Sequence, residues 1–383
     1  MKAEKLSSSS IEILPGAPDV WLTPEAHGDT HFLLQENNLG IPQKTVYKAY
    51  LQATSVFHSC PSSRHLLRGH GIDSDNSTVT NLLHSSAILL LANPAHQTAL
   101  NARKRIVLAG FRDPCVELLF TAALLTLREC SKQTIIWHHR RWLLRLIYPR
   151  KSPADINSGL GFIMDEDSMH CIDLPTPVLS EELSVASRAA DTYRRNYFAW
   201  SHRTRVFDGI LALVCMSLNE KSALDSELVA MLTAEHPWTM KWIDLHIADY
   251  TAMQYLRYVD ISLQRVLSQD FTTIISSPSS LHEQNSTQYA NQAKSLLQAF
   301  PDHESVWMFA RMHELGVSEG IAHATELLRG ISSSVHSSEY SNKVSFNARR
   351  FLAWSRCMRD QVGRRSSRSP FNTSNSLLTF HTS

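Results

Sequence analysis

The sequence predicts an all-α protein in which antiparallel helical-hairpin repeats stack into an alpha-alpha superhelix, or crescent. Three observations carry that reading. The motif Trp-x-His-Arg occurs twice, at Trp137–Arg140 and Trp200–Arg203, each near the start of a long run of apolar residues at helical spacing. Between about residues 78 and 148 such runs are separated by only a few residues, so each helix packs antiparallel to its neighbour. Weaker copies of the motif recur at uneven spacing, and with the insertion and added loops set aside the unit is roughly 35 to 40 residues, the size of a helical hairpin.

Residues 1–42 read as a flexible, irregular N-terminal arm. Its first dozen residues are polar and Ser-rich, and Pro15, Gly16, Pro18, Pro24, Gly40 and Pro42 then break the chain around short apolar pieces such as Phe32-Leu33-Leu34. A helical-repeat domain follows over 43–360. Val46, Tyr47, Tyr50, Leu51, Val56 and Phe57 suit a first amphipathic helix, entered just after Pro42. A Gly/Pro/Ser-containing loop covers 59–77, and helical runs then occupy 78–92, 95–109, 113–130 and 134–148. Residues 149–178 interrupt the array with prolines, glycines and acidic residues, and read as a surface insertion. Its Gly159-Leu160-Gly161 has no preceding strand and no following Lys-Ser/Thr, so it predicts a flexible loop and not a phosphate loop. Helices resume over 181–195, 197–218, 224–232, 240–246, 250–267, 286–299, 305–315, 320–328 and 342–358. Residues 361–383 are Ser-, Asn- and Thr-rich and read as a disordered tail.

The 383 residues suffice for one large domain or two ordinary ones, and 43% apolar with 19% charged content is that of a soluble globular chain. Thirty-seven basic against thirty-six acidic residues leave a formal charge of +1, so no global field draws the chain to nucleic acid or an anionic membrane. The six cysteines have no paired spacing, the N-terminus lacks the apolar core of a signal peptide, and no stretch is long and apolar enough to span a bilayer. A cytoplasmic protein that does not cross membranes is expected.

Aligned on the two clear copies, repeat anchors fall at Leu100, Trp137, Trp200, Met253, Trp307 and Phe346. Within a copy, the Trp and the Arg three positions later share a helix face, joining a buried indole to an ordered guanidinium at its rim. Arg140 and Arg203 read as inter-hairpin salt-bridge or subunit-interface residues. His139 and His202 hold the same place in the repeat. The adjacent His138 and His139 diverge by about 100° on a helix and cannot share one ion, so packing is favoured over metal binding. Asp165-Glu166-Asp167, with His170 and Cys171 nearby, reads as an acidic solvated loop.

At Asn196-Tyr197-Phe198-Ala199-Trp200-Ser201-His202-Arg203 the chain resembles the alpha-subunit repeat family of protein prenyltransferases, whose unit is Asn-Tyr-x-x-Trp-x-x-Arg. The resemblance runs from Asn93 to Met358, about two thirds of the chain. The arm and the degenerate later repeats look most like the divergent alpha-subunit repeat-containing branch. The resemblance implies a crescent wrapped around a beta subunit, of the Rab geranylgeranyltransferase type, that carries the catalytic zinc, with no cofactor in this chain. It further implies an isoprenoid diphosphate as co-substrate, geranylgeranyl by expectation, and a target protein with a C-terminal cysteine. Carried over residue by residue, Lys132 and Tyr197 would reach the diphosphate from the alpha side. Asn196, Trp137, His139, Arg140, Trp200, His202, Arg203 and Trp307 would serve the repeats or the subunit interface. Gln133-Thr134 departs from the Asn-Tyr that should follow Lys132.

The chemistry of Lys132 stands apart from the resemblance. A lysine just before a helix adds its charge to unpaired N–H groups at the positive end of the dipole, which suits a phosphate-rich ligand. A lysine solvated at a helix start is the plainer alternative. Two functions therefore stand at this stage: the non-zinc subunit of a protein prenyltransferase, inactive alone, and a helical-repeat scaffold that has lost the transferase role. A tetratricopeptide-like adaptor fits less well, because Trp-x-His-Arg is not that repeat's pattern.

Overall fold

The computed structural model describes residues 10–21, 32–36, 38–60, 76–149, 167–219, 225–267, 278–332 and 339–366. Of the stretches expected to be disordered, the first dozen residues and 361–383, residues 1–9 and 367–383 lie outside the described residues, as does most of the insertion including Gly159-Leu160-Gly161, whereas Ile11 and Glu12 lie in a strand and 361–366 continue a helix. Among the described residues there are fifteen helices and one small sheet, an all-α repeat fold.

The N-terminal arm carries the sheet. Strands β1 (Ile11–Leu14), β2 (Leu33–Gln35) and β3 (Asn38–Pro42) lie in the order β1-β3-β2, with β1 parallel and β2 antiparallel to β3. The amide of Ile11 donates to Thr126 Oγ1 at 2.8 Å, which ties the sheet to the repeats.

After the short α1 (Pro18–Trp21), the first hairpins are α2 (Gln43–Ser59), α3 (Asn76–Ala92), α4 (Gln97–Leu108), α5 (Pro114–Leu124), α6 (Arg128–Ser131) and α7 (Thr134–Ile147). Then follow α8 (Thr176–Thr192), α9 (Tyr197–Asn219), α10 (Ser226–Leu245), α11 (Tyr250–Leu267), α12 (Pro278–Ala299), α13 (Glu304–Ala310), α14 (Glu314–Ser332) and α15 (Glu339–Ser366). The boundaries depart from the periodicity in three places. The run expected over 113–130 breaks into α5 and α6, because Leu127 adopts an extended conformation (φ −85°, ψ 131°). Conversely, α10 passes straight through Pro237, where the pattern suggested two helices, since the residues around the proline are buried on the core side. At the C-terminus α15 continues to Ser366, past the expected end at Met358.

The chain forms two compact units, Met1–Trp238 with Ile261–Phe271, and Thr239–Asp260 with Thr272–Ser383. In the first, α2 packs on α3, α3 on α4, α5 on α7 and α8 on α9 around buried Leu90, Leu100, Ile106, Trp137, Leu143, Trp200 and Phe207. In the second, α12, α14 and α15 enclose Tyr289, stacked on Phe309 at 4.4 Å, and Trp307, 5.4 Å from Phe351.

Helix starts explain the repeat. The residue four before each anchor is the N-cap or the residue just ahead of the helix: His96, Gln133, Asn196, Asp249 and His303. His96, Asn196 and Asp249 accept hydrogen bonds from backbone N–H groups of the first turn. Anchors Leu100, Trp137, Trp200, Met253 and Trp307 are all buried. The sixth is misplaced in the sequence reading: Phe346 is 57% exposed, whereas Phe351 is fully buried against Trp307. Asn347, four before Phe351, donates to the carbonyl of Asp302 at 3.0 Å and occupies the place that Asn196 holds in its own repeat. Helix α15 starts well ahead of this point, so the N-terminal signal that marks the other anchors is missing here.

Candidate functional site

Three arginines, each three residues past an anchor, clamp successive helices of the first unit. Arg103 on α4 gives Nε and Nη2 to Glu117 on α5 at 2.7 and 2.6 Å. Arg140 on α7 makes the same fork to Glu182 on α8 at 2.8 and 2.7 Å, and Arg203 on α9 to Glu235 on α10 at 2.8 and 2.7 Å. The remaining Nη1 of each reaches back to the preceding hairpin. It meets Leu83 O and Ser86 Oγ for Arg103, Leu118 O and Thr121 Oγ1 for Arg140, and Leu183 O and Ser187 Oγ for Arg203. Aromatic faces cover two of the guanidinium groups, Phe120 over Arg103 at 4.0 Å and Trp238 over Arg203 at 3.6 Å.

The histidines of the motif complete this buried ladder. His139 Nε2 lies 3.2 Å from Glu117 Oε1 and His202 Nε2 lies 2.8 Å from Glu182 Oε2, each carboxylate thus shared by the arginine of one repeat and the histidine of the next. His202 packs on Trp137 at 4.9 Å and His139 stacks on Trp142 at 5.3 Å. Burial alone would raise the Glu182 carboxyl, but the Arg140 charge and the His202 hydrogen bond bring it down to about 2. The same opposition, with bonds from His139 and Arg103, brings Glu117 to about 2. Burial pushes the imidazole of His202 down to about 4 against the pull of Glu182, and His139 is lowered for the same reason. Both rings are therefore neutral near pH 7 and donate from Nε2 to the carboxylates.

Lys132 and Tyr197 flank one shared hydrogen-bond acceptor. The carbonyl of Ser131 accepts both the Trp137 indole N–H at 2.8 Å and the Asn196 amide at 3.0 Å. Lys132 follows Ser131 and Tyr197 follows Asn196, so this contact between hairpins sets their two backbones side by side. The ammonium of Lys132 reaches to 5.8 Å from the Tyr193 ring and pairs with Glu129 at 2.6 Å. Its side chain is half-buried, that of Tyr197 is 64% exposed, and Gln133 offers no side-chain cap to α7. Trp307 repeats the indole contact in the second unit, donating to Pro301 O at 2.7 Å; Ala310 stands where its arginine would be.

Asp167 is no part of a solvated loop. It is 8% exposed and is held by Arg141 at 2.8 Å, Arg145 at 3.0 Å and His138 at 2.6 Å. Met169, Ile172 and Leu174 beyond it are buried too, because this stretch packs back on the repeats before α8 begins. Among the described residues no group of three His, Cys, Asp or Glu side chains is placed to hold a metal, and no helix is long and apolar enough to cross a membrane.

The carboxylates Glu117, Glu182 and Glu235 are what sequence reasoning missed. Glu182 carries a usable signal, since it lies in the helix just ahead of the clearest repeat. The separations of 14, 42 and 32 residues from arginine to partner follow no period that would have singled out all three.

Stacked hairpins clamped by arginines three residues past a buried anchor form a helical-repeat architecture similar to that of the alpha-subunit repeat family. The signature described as protein prenyltransferase alpha subunit repeat matches residues 179–209, the stretch with Glu182, Asn196, Trp200, His202 and Arg203. The chain is 29% identical over 283 residues to protein prenyltransferase alpha subunit repeat-containing protein 1 of Homo sapiens, a match covering 64% of this chain and 63% of that protein. Its identity to the protein of the same name from Danio rerio is 26% over 247 residues, covering 60% of this chain and 53% of the relative. The chain thus spans less than two thirds of the length of these relatives. The resemblance read from the repeats is borne out, and the relatives support a place in the divergent repeat-containing branch.

Proposed function

We propose that this chain is the alpha-type subunit of a heterodimeric protein prenyltransferase, working with a beta subunit of the Rab geranylgeranyltransferase type. In the reaction a cysteine thiolate near the target's C-terminus attacks C1 of the isoprenoid, geranylgeranyl by expectation, and the C1–O bond breaks to release diphosphate. The zinc implied by the resemblance belongs to the beta subunit, where it would favour the thiolate. This chain would supply the ammonium of Lys132 and the hydroxyl of Tyr197 to the oxygens of the leaving diphosphate. Donors that meet charge developing in the transition state are typically worth about 2 to 4 kcal/mol.

The observation that carries this reading is the Ser131 carbonyl held by Trp137 and Asn196, which supports Lys132, half-buried, and Tyr197, exposed, as neighbours in adjoining hairpins. Lys132 would exchange Glu129, a solvent-exposed partner of little energetic weight, for the diphosphate. That same ion pair is what favours the second reading, a non-catalytic scaffold in which Lys132 is a solvated surface charge.

Co-expression with a Rab-type beta subunit separates the two. With labelled geranylgeranyl diphosphate and Cys-tailed acceptors, the proposal expects a stable heterodimer and transfer that falls about tenfold or more in Lys132→Ala. A folded chain that binds no beta subunit and supports no transfer establishes the scaffold instead.

A further inference from the structure

A second cationic cluster lies in the first unit, away from Lys132. Arg141 and Arg145 on α7 reach Asp167 by one nitrogen each, at 2.8 and 3.0 Å, and His138 Nδ1 meets the same carboxylate at 2.6 Å. Lys104 on α4 lies over the Trp142 ring at 5.4 Å. It is close enough to Arg145 and Asp167 to feel both charges; burial and then Arg145 lower its pKa, with Asp167 opposing. Arg205, which donates to Ser201 Oγ at 2.6 Å, adds its charge to the surroundings of Arg141.

The arrangement differs from the ladder in one telling respect. Arg103, Arg140 and Arg203 each engage a carboxylate through the Nε/Nη2 fork, whereas Arg141 uses Nη2 alone. Its Nε is buried without an acceptor, in a side chain that is only 6% exposed. A carboxylate has two oxygens, and Asp167 divides them between Arg141 and Arg145. A group with three terminal oxygens can fill the Arg141 fork and still reach Arg145 and His138. The cluster opens to solvent at His138, which is 53% exposed.

We propose that Arg141, Arg145, Lys104 and His138 form a binding site for a phosphate monoester group, with Asp167 as its intramolecular placeholder. Binding displaces the Asp167 carboxylate, and the orphaned Nε of Arg141 gains its acceptor. Because the site is distinct from Lys132, it stands or falls apart from the prenyltransferase reading.

The experiment titrates the full chain by calorimetry with O-phosphoserine and with inorganic phosphate, against chloride at matched ionic strength, in wild type and Asp167→Asn. Removing the internal competitor is expected to tighten phosphate binding about tenfold, since it removes a like charge at contact distance. Adding Arg145→Gln or Lys104→Gln to that background weakens it by about as much. Tighter binding of phosphoserine than of inorganic phosphate identifies a protein-borne group; equal binding identifies free phosphate. The proposal is overturned if Asp167→Asn binds phosphate no better than the chloride control, or if Arg145→Gln does not weaken it. Should Asp167→Asn lose helicity by circular dichroism, Arg145→Gln and Lys104→Gln are compared with wild type by thermal shift in phosphate. An identical shift in all three then refutes the site.

Discussion

Replacing Glu182 with glutamine tests the ladder at a fully buried joint. Glu182 and Arg140 are each 1% exposed, so neither charge has solvent to fall back on. The glutamine keeps the volume but has a single oxygen, and its amide presents N–H groups to a guanidinium that also offers only N–H groups. One arm of the fork at 2.7 to 2.8 Å is lost, and a buried cation is left without a counter-charge. Stranding one partner of a buried pair costs about 3 to 5 kcal/mol. The His202 Nε2–H competes for the one remaining oxygen, which keeps the expected loss in the upper part of that range. The assay is urea denaturation of the full chain followed by circular dichroism. Arg140→Met combined with Glu182→Leu is the control: it strands no charge, the Leu118 carbonyl and Thr121 hydroxyl that lose Arg140 Nη1 still bond each other, and the main cost is a His202 ring without an acceptor, about 1 to 3 kcal/mol. A loss below about 1 kcal/mol for Glu182→Gln, or a double variant less stable than the single one, would refute the reasoning.

Three further outcomes are expected. The pKa of His202 is about 4 in the folded chain against 6.5 unfolded, so the stability it contributes is present above 6.5 and is lost as pH falls toward 4. The loss is about 3 kcal/mol across that window, and His202→Gln should flatten the fall, as read from denaturation midpoints at steps from pH 7.5 to 4; an unchanged slope contradicts the assignment. Asn196→Ala removes the cap on Ala199 and the bond to Ser131 O, and should lower stability by about 1 to 2 kcal/mol in the same assay. Gly320→Ala places a Cβ 2.4 Å from Phe351 Cζ in the fully buried sixth anchor, and a cost of about 1 to 3 kcal/mol should appear as a lowered melting temperature; a neutral result would show that the ring can move aside.

What could be read from the sequence was local. An anchor and its arginine lie three residues apart on one helix face, so Trp137 with Arg140 and Trp200 with Arg203 announce themselves, and the helical class follows. The partners of those arginines are set by how hairpins of unequal length stack. Glu182 can be identified only once α8 is known to lie against α7. Asp167 was misread for the same reason: an acidic tripeptide looks solvated until Arg141 and Arg145 are seen to converge on it. The sixth anchor failed in register, because Phe346-Asn347-Ala348-Arg349 imitates the motif while Phe351 does the packing. Lys132 and Tyr197 were picked by resemblance, and no periodicity in the chain reveals that Ser131 O joins their hairpins.

The shared carboxylates also determine how the first unit comes apart. In many stacked repeats the contacts between neighbours are apolar, and a terminal repeat can peel away at the cost of one interface. Here Glu182 is completed by a guanidinium from one hairpin and an imidazole from the next, so fraying at any joint leaves a charge or a donor without its partner in a dry interior. Partial unfolding is thereby penalised more heavily than the lost apolar area alone would require. The hairpins from α3 to α10 should melt together, and a truncation between two of them should yield an insoluble fragment in place of a shorter working array.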